Sequence, residues 1–270
     1  MPDLVTIDRQ DGVADVRLNR PEKYNALSPE MFGAITEAGE SLMNSGDIRA
    51  VVLSGNGRGF CSGLDFSSFS AMADEPRRSV AGARTSLSET RGPENFAQRP
   101  ALVWKRLPMP VIAAIHGVAF GGGCQIALGA DIRIASGDAR LSILEIKWGL
   151  VPDMSITQTL RDLVPLDVAK ELMFTGRIVS GDDAAAMGLV TRTADDPLAE
   201  ALALAGEIAS RSPHAVRADK RLLEESWRAD PALGLGLEAE LQRGLIGTPN
   251  QVEAIRANFE NRAPQFDDAG

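Results

Sequence analysis

Short runs of β-branched and aliphatic residues alternate with helical segments up to about residue 197, after which the strand-like runs stop. The clearest runs are Ala50–Leu53, Val111–Ile115 and Ile132–Ala135, and the first ends at a polar, glycine-containing stretch. Each run is of strand length and apolar throughout, as buried strands are. Strands that alternate with helices predict an α/β core.

The beginning of the chain predicts a hairpin followed by a helix. Val5–Asp8 and Val13–Leu18 alternate between apolar and polar residues on either side of Asp11-Gly12, which favours a tight turn. Ser28 is a good N-cap, and Pro29 after it suits the first position of a helix. An amphipathic helix is therefore expected from Pro29 onward.

The last quarter of the chain has helical periodicity only. The expected helices are Leu198–Ala209, Pro213–Trp227, Leu233–Leu245 and Gln251–Asn261. We therefore predict two domains, a core of residues 1–197 and a C-terminal helical lobe of residues 198–270. Within the predicted core, Ser67–Gln98 differs in composition. Its polar and small residues predict loop and helix fragments.

The acidic composition excludes several classes of partner. The 270 residues carry a formal net charge of −9 and have a pI near 4.9. A general nucleic-acid or anionic-membrane surface needs clustered Lys and Arg, so neither partner is expected. We also find no apolar stretch long enough to cross a bilayer and no signal-peptide pattern at the start, which predicts a cytoplasmic protein. Cys61 and Cys124 show no metal-ligand spacing, and we expect both to be reduced thiols.

Two glycine-containing loops are the candidates for chemistry. The first, Arg58–Asp65, follows a strand, and its glycines allow the backbone N–H groups to turn outward. The second, His116–Gln125, places three glycines before a helix start, where free N–H groups and the helix dipole favour a developing oxyanion. Taken singly, each loop is also compatible with a purely structural turn.

Together the loops resemble the crotonase (enoyl-CoA hydratase/isomerase) family. The pattern Phe-x-x-Gly-x-Asp at Phe60–Asp65 is followed by His-Gly-x-x-x-Gly-Gly-Gly at His116–Gly123, and the likeness extends from Leu18–Pro21 to the C-terminus. The resemblance implies a spiral of ββα units with a C-terminal helical lobe, assembled as a homotrimer or a dimer of trimers. It implies an acyl-CoA substrate, coenzyme A being part of that substrate, with no other cofactor and no metal. It also implies an oxyanion hole formed by the backbone N–H groups of Leu64 and Gly122.

The acidic residues distinguish between the reactions of the family. Family hydratases carry two glutamates, and the corresponding positions here are Gln125 and Glu145. An amide neither gives nor takes a proton at neutral pH, so the two-carboxylate scheme for adding water is broken. Glu145 lies between Leu and Ile, where desolvation would raise its pKa and suit it to acid–base catalysis. The alternative is a partly exposed glutamate on a helix.

Asp153 is the second candidate acid. Its spacing from Glu145 resembles that of the dienoyl-CoA isomerases of the family, where a glutamate and an aspartate move protons along a conjugated chain. Its position after Pro152 is also that of a helix N-cap. The leading hypothesis is therefore an enoyl- or dienoyl-CoA isomerase. The alternatives are an enoyl-CoA hydratase in which Glu145 acts alone, another chemistry of the family, and a CoA-binding protein without catalysis.

Other residues are implied in binding by the resemblance. Asp65 and Gln125 are counted among the substrate-binding residues through their places in the two loops, and Trp148 is assigned either to the wall of the acyl pocket or to the core. His116 is expected to be structural. The residues expected to approach the pantetheine, adenine or phosphate are Lys23, Tyr24, Ser62, Phe259 and Arg262.

Overall fold

The computed structural model describes residues 3–65 and 90–269, and the predicted hairpin opens the fold. Strands β1 (Val5–Gln10) and β2 (Val13–Leu18) pair antiparallel. They are joined by Asp11 and Gly12, which have φ angles of 51° and 78°. Left-handed conformations at both turn positions match the twist of the two strands, which is why Asp-Gly is favoured there.

The main sheet has six strands in the order β1-β2-β3-β6-β8-β11, and all its neighbours after β2 are parallel. A second sheet has the order β10-β9-β7, and β4 pairs with β5 as a small hairpin. The bounds of the further strands are β3 Ala50–Gly55, β4 Thr90–Arg91, β5 Glu94–Asn95, β6 Val111–Ile115, β7 Val118–Phe120, β8 Ile132–Ala135, β9 Arg140–Ser142, β10 Val179–Ser180 and β11 Arg192–Thr193.

Helices follow most strands and surround the sheets. Ser28 caps the first of them as predicted, since its side chain accepts a hydrogen bond from the backbone N–H of Met31. The α-helices are α1 Pro29–Leu42, α2 Arg99–Arg106, α3 Gly122–Leu128, α4 Ile156–Thr159, α5 Leu166–Thr175, α6 Gly181–Ala186, α7 Pro197–Ala209, α8 Pro213–Ser226, α9 Pro231–Leu245 and α10 Pro249–Glu260. Two 3-10 helices cover Pro21–Lys23 and Glu145–Trp148.

Strands β3 and β6, at the centre of the main sheet, are buried on both faces, as their largely apolar sequences require. Alternate residues of β3 face a large core that includes α1, whereas Ala50 and Val52 face Ala201 and Ala205 of α7. Helix α7 therefore packs directly on the sheet. The predicted boundary at residue 197 placed this helix in the C-terminal lobe, but its apolar face joins it to the core.

Polar contacts join helix α8 and the C-terminal segment to the core. The Lys220 ammonium of α8 donates to Asp131 at 2.7 Å and to the Met109 carbonyl at 3.1 Å. The segment after the last helix is held by Arg49, which precedes β3. Its guanidinium donates to the Phe266 carbonyl at 2.8 Å and to Asp268 at 2.9 Å. The C-terminal segment is thereby joined to the start of β3, near the turn between β1 and β2.

The predicted C-terminal helices are present with ends shifted by at most two residues. Strands β7 and β9 were not predicted, because three residues are too few for a periodic signal. Most of the predicted loop region Ser67–Gln98 lies outside the described residues, and its described part contains the β4–β5 hairpin. Across the described ranges, every helix is too short or too polar to cross a membrane.

Candidate active site

The two glycine-containing loops meet and hydrogen-bond to each other. The Cys61 N–H donates to the Val118 carbonyl and the Phe120 N–H to the Cys61 carbonyl, both at 3.0 Å. On its other side the first loop pairs with Leu27, whose N–H donates to Gly63 at 2.8 Å. The Asp65 N–H donates back to Leu27 at 3.0 Å. Because successive N–H groups of an extended chain face opposite sides, the N–H of the intervening Leu64 points away from Leu27.

Gly122 presents the second free N–H group. It is the first residue of α3, where N–H groups have no acceptor within the helix. Gly63 lies so close that a Cβ on it would be 2.6 Å from the Phe120 carbonyl oxygen and 3.6 Å from the Gly122 nitrogen. Among the described residues, neither the Leu64 nor the Gly122 N–H has a backbone acceptor. The two donors predicted for the oxyanion hole thus lie on adjoining backbone segments.

Each of the three consecutive glycines is required by a close contact or an unusual conformation. Gly121 has φ 50° and ψ −121°, which a residue with a Cβ rarely adopts. A Cβ on Gly122 would be 2.6 Å from the Met154 sulfur, and one on Gly123 would be 2.4 Å from the Cys61 carbonyl oxygen. The sequence Gly-Gly-Gly is therefore needed for the two loops to approach each other.

Glu145 lies against this loop. It begins the 3-10 helix Glu145–Trp148, and its Oε1 would be 3.1 Å from a Cβ on Gly121. Oε1 accepts a hydrogen bond from Gln125 Nε2 at 2.7 Å, while Oε2 is buried and has no partner among the described residues. Burial raises the pKa of Glu145, and the charge of Asp153 acts in the same direction. Glu145 as a whole has intermediate exposure at the start of its 3-10 helix, so the description as a partly exposed glutamate on a helix holds, but its Oε2 is withdrawn from solvent.

Gln125 is fully buried on α3 and uses both ends of its amide. Nε2 donates to Glu145, and Oε1 accepts from the Met154 N–H at 2.9 Å. The side chain therefore links the glutamate to the turn that contains Asp153. At the position where family hydratases carry a carboxylate, this chain has a neutral bridge with two protein partners.

Asp153 lies at the exposed edge of the same region. The residue is largely open to solvent, yet the surrounding protein partly desolvates its carboxyl group and raises its pKa. Its charge in turn acts on Glu145, which places the two acids near each other. The helix after it begins only at Ile156, and its N-cap is Ser155 with φ 64°. The alternative assignment of Asp153 as a helix N-cap is therefore wrong.

Comparison with known proteins identifies the family. The family model for enoyl-CoA hydratase/isomerase matches residues 8–269. The chain belongs to the enoyl-CoA hydratase/isomerase family. It is 34% identical over 266 residues to the probable enoyl-CoA hydratase echA8 of Mycobacterium tuberculosis, covering 98% of both chains. It is also 35% identical over 260 residues to the mitochondrial Delta(3,5)-Delta(2,4)-dienoyl-CoA isomerase of Homo sapiens, covering 94% of this chain and 78% of the human protein.

Solved structures of the family confirm the predicted crotonase fold. An enoyl-CoA hydratase from Bacillus anthracis superposes with a TM-score of 0.85 at 30% identity, covering 97% of this chain and 98% of its own. An enoyl-CoA hydratase/isomerase from Mycobacterium abscessus superposes with a TM-score of 0.87 at 28% identity, covering 98% and 99%. This chain therefore has the fold of the enoyl-CoA hydratase/isomerase family over nearly its whole length.

Three of the residues predicted near the coenzyme, Lys23, Tyr24 and Ser62, form one patch. The Ser62 N–H donates to the Tyr24 carbonyl at 2.9 Å, and its hydroxyl donates to the Lys23 carbonyl at 3.5 Å. The Arg58 guanidinium stacks over the Tyr24 ring, 4.6 Å from its centre. Arg58 was not selected from the sequence, although it opens the first loop, and it adds a second cation to the patch.

Asp65 and Arg262 already have partners within the chain. Asp65 accepts a hydrogen bond from Arg20 at 2.6 Å, directly after Leu64. Arg262 donates to Glu253 and Glu260, each at 2.6 Å, while Phe259 is 84% exposed. The structure thus assigns Asp65 a structural ion pair. The binding roles of Phe259 and Arg262 remain predictions.

Trp148 and His116 can be placed as well. Trp148 is 41% exposed, so its alternative assignment to the core is wrong. It belongs to an apolar rim that follows Glu145 and includes Ile146, Leu150 and Val151. A ring nitrogen of His116 lies 3.0 Å from the Gly57 carbonyl oxygen, in agreement with a structural role. Within residues 3–65 and 90–269, no cluster of His, Cys, Asp and Glu side chains is arranged to hold a metal ion.

Proposed function

We propose that this family member isomerises a double bond of an enoyl- or dienoyl-CoA. The proposal is supported by the hydrogen bond between Gln125 and Glu145, and by Asp153, a second ionisable carboxyl group close enough to act on the pKa of Glu145. Moving a double bond requires one proton to leave the α-carbon and one to be added further along the conjugated system. Two acids near each other, with a neutral amide behind one of them, suit that exchange.

In the proposed reaction the thioester oxygen accepts hydrogen bonds from the Leu64 and Gly122 N–H groups. These donors stabilise the enolate that forms when Glu145 takes the α-proton on Oε2, the oxygen without a hydrogen-bond partner in the described part of the chain. Asp153 returns a proton at the far carbon of the enolate. Its raised pKa favours the protonated form required for that step. Coenzyme A is part of the substrate, and the scheme uses no metal or further cofactor.

The second candidate is an enoyl-CoA hydratase in which Glu145 alone activates water. The names of several relatives, echA8 among them, favour this reaction. The free Oε2 of Glu145 could equally accept a proton from water. Since Gln125 cannot serve as the second acid, we expect hydration to be slow, and Gln125→Glu to raise it sharply if the missing carboxylate is the only obstacle.

The test is to follow absorbance with 3-enoyl-CoA, 3,5-dienoyl-CoA and crotonyl-CoA as alternative substrates. We expect isomerisation to exceed hydration, and Asp153→Asn to lower isomerisation by about 10²-fold or more. Asp138→Asn is the control, because Asp138 is exposed in a turn. Lack of turnover of both isomerase substrates at high enzyme concentration contradicts the proposal. If Glu145→Gln changes none of the activities, the protein is a CoA-binding protein without catalysis at this site.

We further propose that the chain assembles as a homotrimer or a dimer of trimers. Large apolar side chains that are exposed in the single chain support this, among them Leu166, Phe174 and Trp227, each about 70% exposed. Sedimentation equilibrium measures the assembly directly. A monomeric mass at micromolar concentration contradicts it.

A further inference from the structure

We propose that Gln125 is a positioning residue that holds Glu145 as the base and fixes it to the turn that carries Asp153. This inference rests on the proposed function, since it assigns Glu145 the removal of the α-proton. Gln125 itself is not assigned a contact with the reacting atoms. Its function is to set the protonation state of Glu145 and the positions of Glu145 and Asp153, the two groups that have such contacts.

The orientation of the amide follows from its partners. The Met154 backbone N–H is a donor, so the amide atom 2.9 Å away must be the oxygen. The NH₂ group must then face Glu145 Oε1, at 2.7 Å. No such constraint would exist if both neighbours could donate and accept. The bond to the backbone of Met154 thus ensures that Glu145 always faces a donor.

A donor at this position favours the carboxylate form of Glu145. Burial and the charge of Asp153 act against that form. The buried thiol of Cys124 also lies near Glu145, but burial raises the pKa of this thiol to about 12, so it is uncharged at neutral pH. A glutamate in place of Gln125 would bring two carboxyl groups to hydrogen-bond distance, and one of them would have to hold a proton. Gln125 therefore keeps Glu145 able to accept a proton over a wider pH range than a second acid would.

The same amide also fixes the turn on the other side of the site. The amide oxygen accepts a hydrogen bond from the Met154 N–H and so holds the residue directly after Asp153. The Met154 sulfur in turn packs against Gly122, 2.6 Å from where a Cβ on that glycine would be. One buried side chain thus connects Glu145, the Asp153 turn and the helix start that supplies the Gly122 N–H. A proton transfer between two carbons depends on such relative placement.

The experiment measures α-proton exchange of butyryl-CoA in D₂O as a function of pH, by mass spectrometry. This saturated thioester can be neither isomerised nor hydrated, so the readout isolates removal and return of the α-proton. We compare the wild type with Gln125→Glu, which keeps the size of the side chain, and with Gln125→Met, which removes both hydrogen bonds. Gln242→Glu on an exposed face of α9 is the charge-matched control.

We expect the acidic limb of the exchange profile to shift to higher pH by about one unit in both Gln125 variants, because Glu145 loses the amide donor that favours its carboxylate form. The half-saturating butyryl-CoA concentration should change by less than about threefold, because the amide does not bind the substrate. The control should reproduce the wild-type profile. Thermal unfolding identifies any variant that fails to fold. If Gln125→Met does not fold, the pH profile of Gln125→Glu alone tests the inference.

Two results overturn the inference and are distinguishable. If the wild type exchanges the α-proton and both Gln125 variants lose rate equally at every pH, Gln125 is only structural and the proposed function still stands. If the wild type shows no exchange at high enzyme concentration, Glu145 is not the base, and the proposed function fails together with this inference.

Discussion

The sulfur of Met154 occupies the space beside Gly122, 2.6 Å from where a Cβ on that glycine would be. The Leu27 side chain closes the other side, with its Cδ1 2.8 Å from the same point. Gly122→Ala must therefore displace a neighbour or the loop itself. We expect kcat to fall by about 10²–10³, the usual effect of losing one oxyanion donor, with little change in KM.

A matched control for this substitution is Gly206→Ala in α7, where a Cβ would meet nothing within 4 Å. Alanine is the better helix former, so this variant should keep its kcat and gain about 0.5–1 kcal/mol of stability. Steady-state kinetics and urea unfolding measure the two quantities. Wild-type kcat in Gly122→Ala would contradict the expectation that the added Cβ displaces this N–H.

Glu145→Gln should reduce turnover by about 10²–10⁴, the usual contribution of a positioned acid or base. It should also stabilise the fold at neutral pH. The pKa of Glu145 is raised in the native state, so the unfolded state gives up its proton at lower pH than the native state does. The wild type therefore loses stability as pH rises from the ordinary glutamate pKa through the raised native pKa.

The difference in unfolding free energy between Glu145→Gln and the wild type should accordingly be largest at neutral pH. It should shrink below the ordinary pKa of glutamate, where both states hold the proton. Urea unfolding at a series of pH values checks this. A constant difference across that range would mean that desolvation of Glu145 does not act on stability.

Asp65→Asn tests whether Asp65 acts through the backbone or contacts the substrate. The carboxylate holds Arg20, which also donates to the Ala26 carbonyl at 3.1 Å. Loss of the charge weakens this ion pair and loosens the segment that presents the Leu64 N–H. We expect kcat to fall about tenfold, in line with a charge-assisted hydrogen bond, while KM changes little. A rise in KM at constant kcat would instead support the substrate-binding role predicted from the sequence.

Lys220→Met tests the link between α8 and the sheet. Lys220 pairs with Asp131, whose pKa is raised by burial, and breaking the pair leaves that carboxyl without its cation. We expect a loss of about 3 kcal/mol, the lower end of the range for buried pairs, because Asp131 keeps some exposure. Arg211→Met, in an exposed pair with Glu207, should cost under about 1 kcal/mol. Equal losses in the two variants would contradict a special role for Lys220.

The sequence predicted the parts of the site that depend on backbone constraints. The glycines marked both loops as places where backbone N–H groups can turn outward, and the family resemblance carried by the two loops named Leu64 and Gly122 as the donors. The resemblance also selected Glu145, whose apolar neighbours then predicted a raised pKa. The residue pattern of each loop is continuous in the chain, so it could be recognised without knowledge of the packing.

The relations between distant segments could not be predicted. Gln125 was recognised as a missing acid, but its bond to Met154 depends on a turn 29 residues later. The packing of α7 on the sheet was missed for the same reason. Its small alanines fit the Ala50 and Val52 side of the sheet, while its periodicity is that of any amphipathic helix.

The contact of Arg49 with the C-terminal segment has a consequence for biosynthesis. Its acceptor, the Phe266 carbonyl, lies 217 residues later in the chain. During translation the strand beside Arg49 leaves the ribosome long before that partner exists, so the guanidinium must remain hydrated until the final residues emerge. Contacts of such high sequence separation close late in folding. Nascent chains that end before Phe266 should therefore leave the start of β3 uncovered and be the species on which chaperones and proteases act.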